Sequence, residues 1–248
     1  MEPTLEQMAQ SLVASGDYRV TGRLELQTEY HPPDATPRLV AAVVDVETTG
    51  INPDHDKIIE LGVCLFEYGR QSGRIYKVLG SWEWFEDPGI SIPAEIRKIT
   101  GITDDMVAGH SIDDPAVNDL LSRVVLVIAH NADFDRRFLE RRLPGFSTKH
   151  WACSRSDIDW KAEGIRSSAL EFVANSLGFF HDGHRAASDC RATVHALAQR
   201  LPRTGGLALQ ALLEQARLHD MAVMGEGRPN REEGCLEGPR VLLEPRRA

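Results

Sequence analysis

A chain of 248 residues can bury one sizeable core and still carry appendages. Its net charge of −9 argues against a protein that coats nucleic acid through bulk electrostatics, although an enzyme gripping a short stretch of strand is not excluded. No apolar run approaches the roughly 20 residues of a membrane span, and the start, Met1 to Glu6, lacks the basic and apolar regions of a signal peptide. Cys64, Cys153, Cys190 and Cys235 are scattered without a CxxC pair, so the expectation is reduced thiols in a cytoplasmic protein.

In chain order, Thr4 to Val13 has helical spacing with Thr4 placed as an N-cap, and Tyr18 to Gln27 alternates weakly, like a strand. His31-Pro32-Pro33 and Pro37 mark a linker, so residues 1–38 are expected to be an appendage packed on the main domain. Leu39 to Val44 is apolar, β-branched and too short for a typical helix, and predicts a buried central strand. Lys57 to Phe66 and Arg74 to Phe85 predict two more strands, joined by a hairpin turn at Gly69 to Gly73. Short helices are expected at Ala94 to Thr100 and Asp113 to Ser122, with a turn at Thr103-Asp104-Asp105 between them.

Val124 to Ala129 is a second fully apolar strand, followed by a helix from Asn131 to about Arg142 that Pro144 stops. His150 to Cys153 predicts a short strand, and Ser168 to Leu177 a helix closed by Gly178. Arg185 to Leu201 and Leu207 to His219 predict the last two helices. Strands first, then helices alternating with strands, imply an α/β domain over residues 39–202 with a mixed central sheet flanked by helices. Residues 203–220 supply a C-terminal helix. Periodicity vanishes from about Met221, where Gly, Arg, Glu and Pro dominate, and the tail 221–248 is expected to be poorly ordered.

Chemistry concentrates at the strand ends. Strand side chains alternate, so Asp45 and Glu47 project together while Val44 and Val46 point the other way. Two adjacent carboxylates at the end of a hydrophobic strand repel each other and resist burial. Shared protons, basic partners or a bound cation would each resolve that conflict. Gly50 then lets the backbone turn or approach a ligand closely. Asp135 stands in the first turn of the helix after the second apolar strand, and Asp189 on the helix that follows His184. A Mg²⁺ site takes hard oxygen ligands, few of them from protein. Two such ions about 3.5–4 Å apart can clamp a scissile phosphate. Four acids and one histidine supply that arrangement.

Three motifs resemble those of the DEDD superfamily of 3′–5′ exonucleases, His-type branch, a ribonuclease H-like fold that includes the proofreading subunit of bacterial replicative polymerase. Asp45-Val46-Glu47-Thr48-Thr49-Gly50, extended by Pro53 to Gly62, is similar to the first; His130-Asn131-Ala132-Asp133-Phe134-Asp135 to the second; His184-Arg185-Ala186-Ala187-Ser188-Asp189 to the third. Thr100-Gly101-Ile102-Thr103 matches a linking signature.

The resemblance covers residues 39–201 and implies roles position by position. Asp45 bridges two Mg²⁺ or Mn²⁺ ions, Glu47 and Asp189 complete the first site, and Asp135 reaches the metals directly or through water. His184 is the general base, because histidine's ordinary pKa of about 6.5 suits that task near neutral pH. Thr48, Thr49, Gly50, His130, Asn131 and Phe134 line the substrate. Arg185 stands where the tyrosine-type branch carries its tyrosine. The implied partners are a single-stranded DNA or RNA 3′ end and a DNA polymerase.

Other polar residues have plainer readings. Asp133, His55 and His181 are expected in solvent, and His130 is expected to support the site by hydrogen bonding. Arg136, Arg137, Arg141 and Arg142 could track phosphates, but a solvated helix face partly paired with Glu140 accounts for them equally well. Trp82, Trp84 and Trp151 are expected in the core rather than stacked on bases. His150-Trp151-Ala152-Cys153-Ser154-Arg155 departs from the family's Asp-Thr and Leu-Ala-Arg pattern, which leaves DNA against RNA open. An exoribonuclease and a catalytically silent binding module are the alternatives to a DNA exonuclease. In the tail, a one-nucleotide shift of a permissible back-translation from Ala222 to Pro245 yields an ending that resembles the family's, so a slipped reading frame near Met221 is expected. Resequencing the gene there tests it.

Overall fold

The computed structural model describes residues 3–25 and 27–215, so the tail after Met221 and its reading-frame question lie outside the described residues. Helix α1 (Leu5–Ala14) opens on Thr4, whose side chain accepts from Gln7 N–H while the Gln7 side chain accepts from Thr4 N–H. This capping box satisfies two donors that a helix end leaves free. No residue of α1 is buried. The strand expected over 18–27 shrinks to β1 (Gly22–Arg23). Its partner is as short as it is, so the paired stretch is limited to two residues and the flanking bond of Leu24 N–H to Phe180.

The central strand β2 (Arg38–Thr48) continues past the apolar run and carries both acids within it. It pairs antiparallel with β3 (Ile58–Gly69), which pairs antiparallel with β4 (Ile75–Phe85). On its other side β2 pairs in parallel with β5 (Leu126–Ala129), and β5 with β6 (His150–Cys153). The order β4-β3-β2-β5-β6 makes a mixed five-stranded sheet, as expected. β5 starts two residues later than the apolar run suggests, because Val124 N–H turns back onto the Leu121 carbonyl while Val125 N–H reaches Val40.

Alternation on β2 sorts the core. Ala42, Val44 and Val46 pack toward α4 (Asp114–Ser122), α5 (Ala132–Arg142) and the 3-10 turn Pro144–Thr148, with Phe138, Leu139, Phe146 and Trp151. Ala41 and Val43 face α6 (Leu170–Ser176) and α7 (Ala186–Ala198), with Phe66, Val194 and Leu197. Two short helices, α2 (Ala94–Thr100) and α3 (Asp104–Val107), enclose a third cluster around Ile59, Ile92 and Ile102. Gly101, in the linking signature, closes α2 with φ +71°, a left-handed conformation that favours glycine. β7 (Phe179–Phe180) joins α6 to the segment before α7 and pairs in parallel with β1. The last helical run is described from 208 to 215. Among the described residues no helix is long and apolar enough to cross a membrane.

Candidate active site

Asp45 and Glu47 sit on the odd-numbered face of β2, the face that α7 covers. Strand register places Gly62 opposite Asp45 and Glu60 opposite Glu47. A Cβ on Gly62 would overlap the backbone of Ala186, so glycine there is what lets the start of α7 lie directly on the sheet beside Asp45. One turn further, Asp189 projects to the two strand acids. Ligand oxygens of Asp45, Glu47 and Asp189 all lie within 4.8 Å of one another.

Asp135 arrives from the opposite layer. It is 2 % exposed, and its Oδ1 accepts from Val46 N–H at 3.0 Å. Its charge is the foremost one acting on Asp45, although it is not among the three acids whose oxygens lie within 4.8 Å.

The crowding disfavours the charged forms. Burial, then repulsion from Asp135, Asp189, Glu47 and Glu60, raises the Asp45 carboxyl well above the usual range. Burial and the same neighbours push Glu47 up to about 8. Asp135 is pushed to about 7 by burial, against the hydrogen bond from Val46 that favours its charged form. A crowded set of half-buried carboxylates whose negative charges outnumber the nearby Arg185 fits a divalent cation by donor chemistry, since hard oxygen ligands and excess negative charge are what such an ion takes.

His184 is exposed, and its φ of 61° is the single left-handed non-glycine backbone among the described residues. Strain of this kind persists only where surrounding contacts enforce it, and here they do. His184 N–H donates to Oδ2 of Asp189 at 3.0 Å. The next residue, Arg185, forks onto Glu60 Oε1 at 2.9 and 2.7 Å and reaches Glu83 at 2.9 Å. Glu60 is completely buried, and its other oxygen accepts from Ala186 N–H at 2.7 Å. The Arg185 guanidinium also lies 5.6 Å from the centre of the Phe85 ring. Sequence reasoning quoted Glu60, Gly62 and Arg185 inside motifs without giving them positioning roles. The readable signal is an acid near the start of an apolar strand, two positions before a glycine.

The first-motif loop holds itself together. Thr48 Oγ1 donates to the Gly50 carbonyl, and Thr49 Oγ1 donates to Asp56 at 3.2 Å while accepting from Lys57 N–H at 3.0 Å. A Cβ on Gly50 would overlap the Asp56 carboxylate. Both threonine hydroxyls thus make hydrogen bonds inside the loop. His130 is half-buried, with Nδ1 2.8 Å from Ser154 Oγ and Nε2 2.8 Å from the Ser168 carbonyl. Burial lowers its pKa to about 4, which keeps the ring neutral as a strut between two loops. Asn131 is exposed and Phe134 half-buried at the mouth of the same region, the latter against Phe138.

Elsewhere the plainer readings prevail, with one correction. Asp133 and His55 are exposed. Arg136 pairs with Glu140, Arg141 with Asp54, and Arg142 with Glu86 and Asp114, so these arginines bind the protein's own acids. Trp151 is in the core, and Trp82 and Trp84 pack against it. His181, expected in solvent, has a side chain only 3 % exposed, with Nε2 2.7 Å from Asp189 Oδ1. The β1 to β7 pairing draws its loop inward, a long-range contact that local composition does not show.

A model of the exonuclease family matches residues 42–197. The chain is 30% identical over 191 residues to the PolC-type DNA polymerase III of Clostridium perfringens, covering 74% of this chain and 12% of that protein. It is 29% identical over 188 residues to the corresponding polymerase of Thermotoga maritima, covering 72% and 13%. It therefore spans about an eighth of these relatives. Among solved structures, E. coli exonuclease I in complex with a dA16 oligonucleotide superposes with a TM-score of 0.56 at 16% identity, over 75% of this chain and 45% of that one. Exonuclease X in complex with 5′ overhanging duplex DNA gives 0.52 at 23% identity, over 71% and 99%. At these identities the structures establish a shared fold.

Proposed function

The chain belongs to the exonuclease family, as a 3′–5′ enzyme of the DEDD superfamily, and from that premise we propose that it trims single-stranded DNA 3′ ends in proofreading or repair, releasing nucleoside 5′-monophosphates. The observation that carries this reading is the convergence of Asp45, Glu47 and Asp189, with Asp135 acting on Asp45 from the opposite layer and His184 on the loop that delivers Asp189. A silent binding module has no use for buried acids that raise one another's pKa. Divalent cations, Mg²⁺ or Mn²⁺, would supply the charge that stabilises both the attacking and the leaving oxygen of a phosphodiester.

The chain's own residues do the rest. Asp45, Glu47 and Asp189 would hold the cations, and Asp135 would add its charge from the opposite layer. An imidazole nitrogen of exposed His184 takes the proton of the attacking water, and the Arg185–Glu60 clasp keeps that imidazole at the mouth. DNA rather than RNA is favoured by the PolC-type relatives and by the DNA-bound neighbours of like fold. The polymerase relatives also support a polymerase as partner.

End-labelled DNA and RNA strands of one sequence, incubated with Mg²⁺, Mn²⁺ or EDTA, test the reading. Metal-dependent release of deoxynucleoside 5′-monophosphates from the 3′ end is expected. Faster digestion of RNA replaces the substrate, and no cleavage with either metal overturns the reading.

A further inference from the structure

The proposed chemistry leaves one buried histidine unused. His181 has its ring 3 % exposed and its Nε2 2.7 Å from Oδ1 of Asp189, while His184 N–H holds Oδ2 at 3.0 Å. A carboxylate only accepts, so Nε2 carries the proton of this bond. Asp189 is thereby gripped at both oxygens.

The segment bearing His181 is itself anchored from outside the matched family region 42–197. Gly22 N–H donates to the Gly178 carbonyl at 3.0 Å and Leu24 N–H to the Phe180 carbonyl at 2.8 Å. Arg23 meets Asp182 at 2.8 Å and lies 5.1 Å from the centre of the Phe180 ring. Phe179 sits edge-on to His195 at 4.7 Å, and Tyr30 Oη reaches His195 Nδ1 at 3.1 Å. The N-terminal arm thus flanks His181 on both sides in sequence.

We propose that His181 is a positioning residue for Asp189: held by the arm, it fixes that carboxylate so that its remaining lone pairs face Asp45 and Glu47. The proposal rests on the metal-centre reading above. Hydrogen-bond partners of ligating carboxylates govern metal affinity, and their loss costs on the order of 10–100-fold.

Mn²⁺ titrations of the full chain, with free ion followed by electron paramagnetic resonance, test it in the wild type, His181→Ala and His181→Gln. The glutamine amide nitrogen can replace Nε2 as donor. His181→Ala should weaken Mn²⁺ binding by about 10–100-fold and raise the Mn²⁺ needed for half-maximal cleavage. Its kcat at saturating metal should change little, and His181→Gln should recover most of the affinity. Unchanged affinity in His181→Ala overturns the proposal, as does a fall in kcat at saturating metal without loss of affinity. Equal weakening in both variants, with a lowered melting temperature, also overturns it, because packing alone would then explain the contact. If the wild type takes up no Mn²⁺, the metal-centre reading fails and this proposal with it.

Discussion

Asp135 and Asp189 reach the same carboxylate cluster from opposite layers, and they are held there by different means. Asp135 rides on α5, whose Phe138 and Leu139 are buried under the sheet, and a backbone donor on β2 receives it. Packing of α5 and this single hydrogen bond bring it into place. Asp189 rides on α7, whose first turn lies on a glycine and follows a left-handed residue. Side chains from distant parts of the chain hold that entry: Glu60 on Arg185 and Ala186, His181 on Asp189, and the arm on the segment that bears His181. Both helices pack on the sheet, α7 with nine buried residues and α5 with four, so the two halves differ in the polar fastening added at the α7 entry, and there they can be told apart.

The largest effect is expected from the acids themselves. Asp45→Ala and Asp189→Ala should each abolish metal-dependent cleavage, and metal-free Asp45→Ala should melt at the wild-type temperature or higher, because removing that crowded carboxylate relieves repulsion. Near-wild-type turnover in Asp45→Ala, measured on labelled DNA, would show the metal assignment to be wrong. His184→Ala should come next, losing about 10²–10⁴-fold in kcat, the ordinary worth of a general base, with KM little changed. A parallel rise in KM would make His184 a substrate or loop contact instead.

Breaking the clasp separates the two halves. Arg185→Ala leaves the fully buried Glu60 without its guanidinium, a loss of about 3 kcal/mol, toward the low end for such pairs because Arg185 is 35% exposed at its side chain. Urea denaturation should show this cost, and Arg142→Ala, which breaks only partly exposed pairs on α5, should cost less. Cleavage should fall more in Arg185→Ala than in Arg142→Ala. Equal losses in rate would mean that the α7 entry needs no clasp.

The contrast also explains what the sequence made legible. Alternating and helical periodicity located nearly every element of the sheet and its helices, because each buries one face against the same core. The acid positions were readable because a carboxylate at the end of an apolar strand conflicts with its surroundings. Glu60 and Gly62 were not given their roles, since each meets a partner more than a hundred residues away, and His181 was not because a distant segment buries it. Glu60 meets Arg185 across a separation of 125 residues, a distance no local pattern spans. His181 looked solvated because its neighbours Asp182 and Gly183 are loop residues; the arm that draws it inward begins at residue 22.

Protonation gives a smaller and graded test. The folded carboxyls of Asp135 and Glu47 lie near 7 and 8, above their ordinary values of 3.8 and 4.5. A raised acid contributes stability that is complete below its unfolded pKa and lost as pH rises through the folded one. The metal-free protein should therefore melt several degrees higher at pH 5 than at pH 8. Glu47→Gln should flatten part of that slope, and Mg²⁺ or Mn²⁺ should stabilise most at pH 8, where the acids are charged. A slope that Glu47→Gln leaves intact would assign it to other groups.

The smallest effect is expected at the arm's outermost contact. Arg23 and Asp182 form an ion pair with side chains 60% and 76% exposed, and such pairs contribute at most about 1 kcal/mol. If the arm holds the α7 entry through its backbone, Arg23→Ala should change melting temperature and cleavage rate only marginally. Gly22→Pro removes the N–H that donates to the Gly178 carbonyl, so it should lower cleavage more than Arg23→Ala does. Steady-state kinetics of the two variants at fixed Mn²⁺ compare them directly. Were Arg23→Ala the more damaging, the guanidinium on Phe180 and Asp182 would be the true fastening, and the short parallel pairing would be a consequence of it.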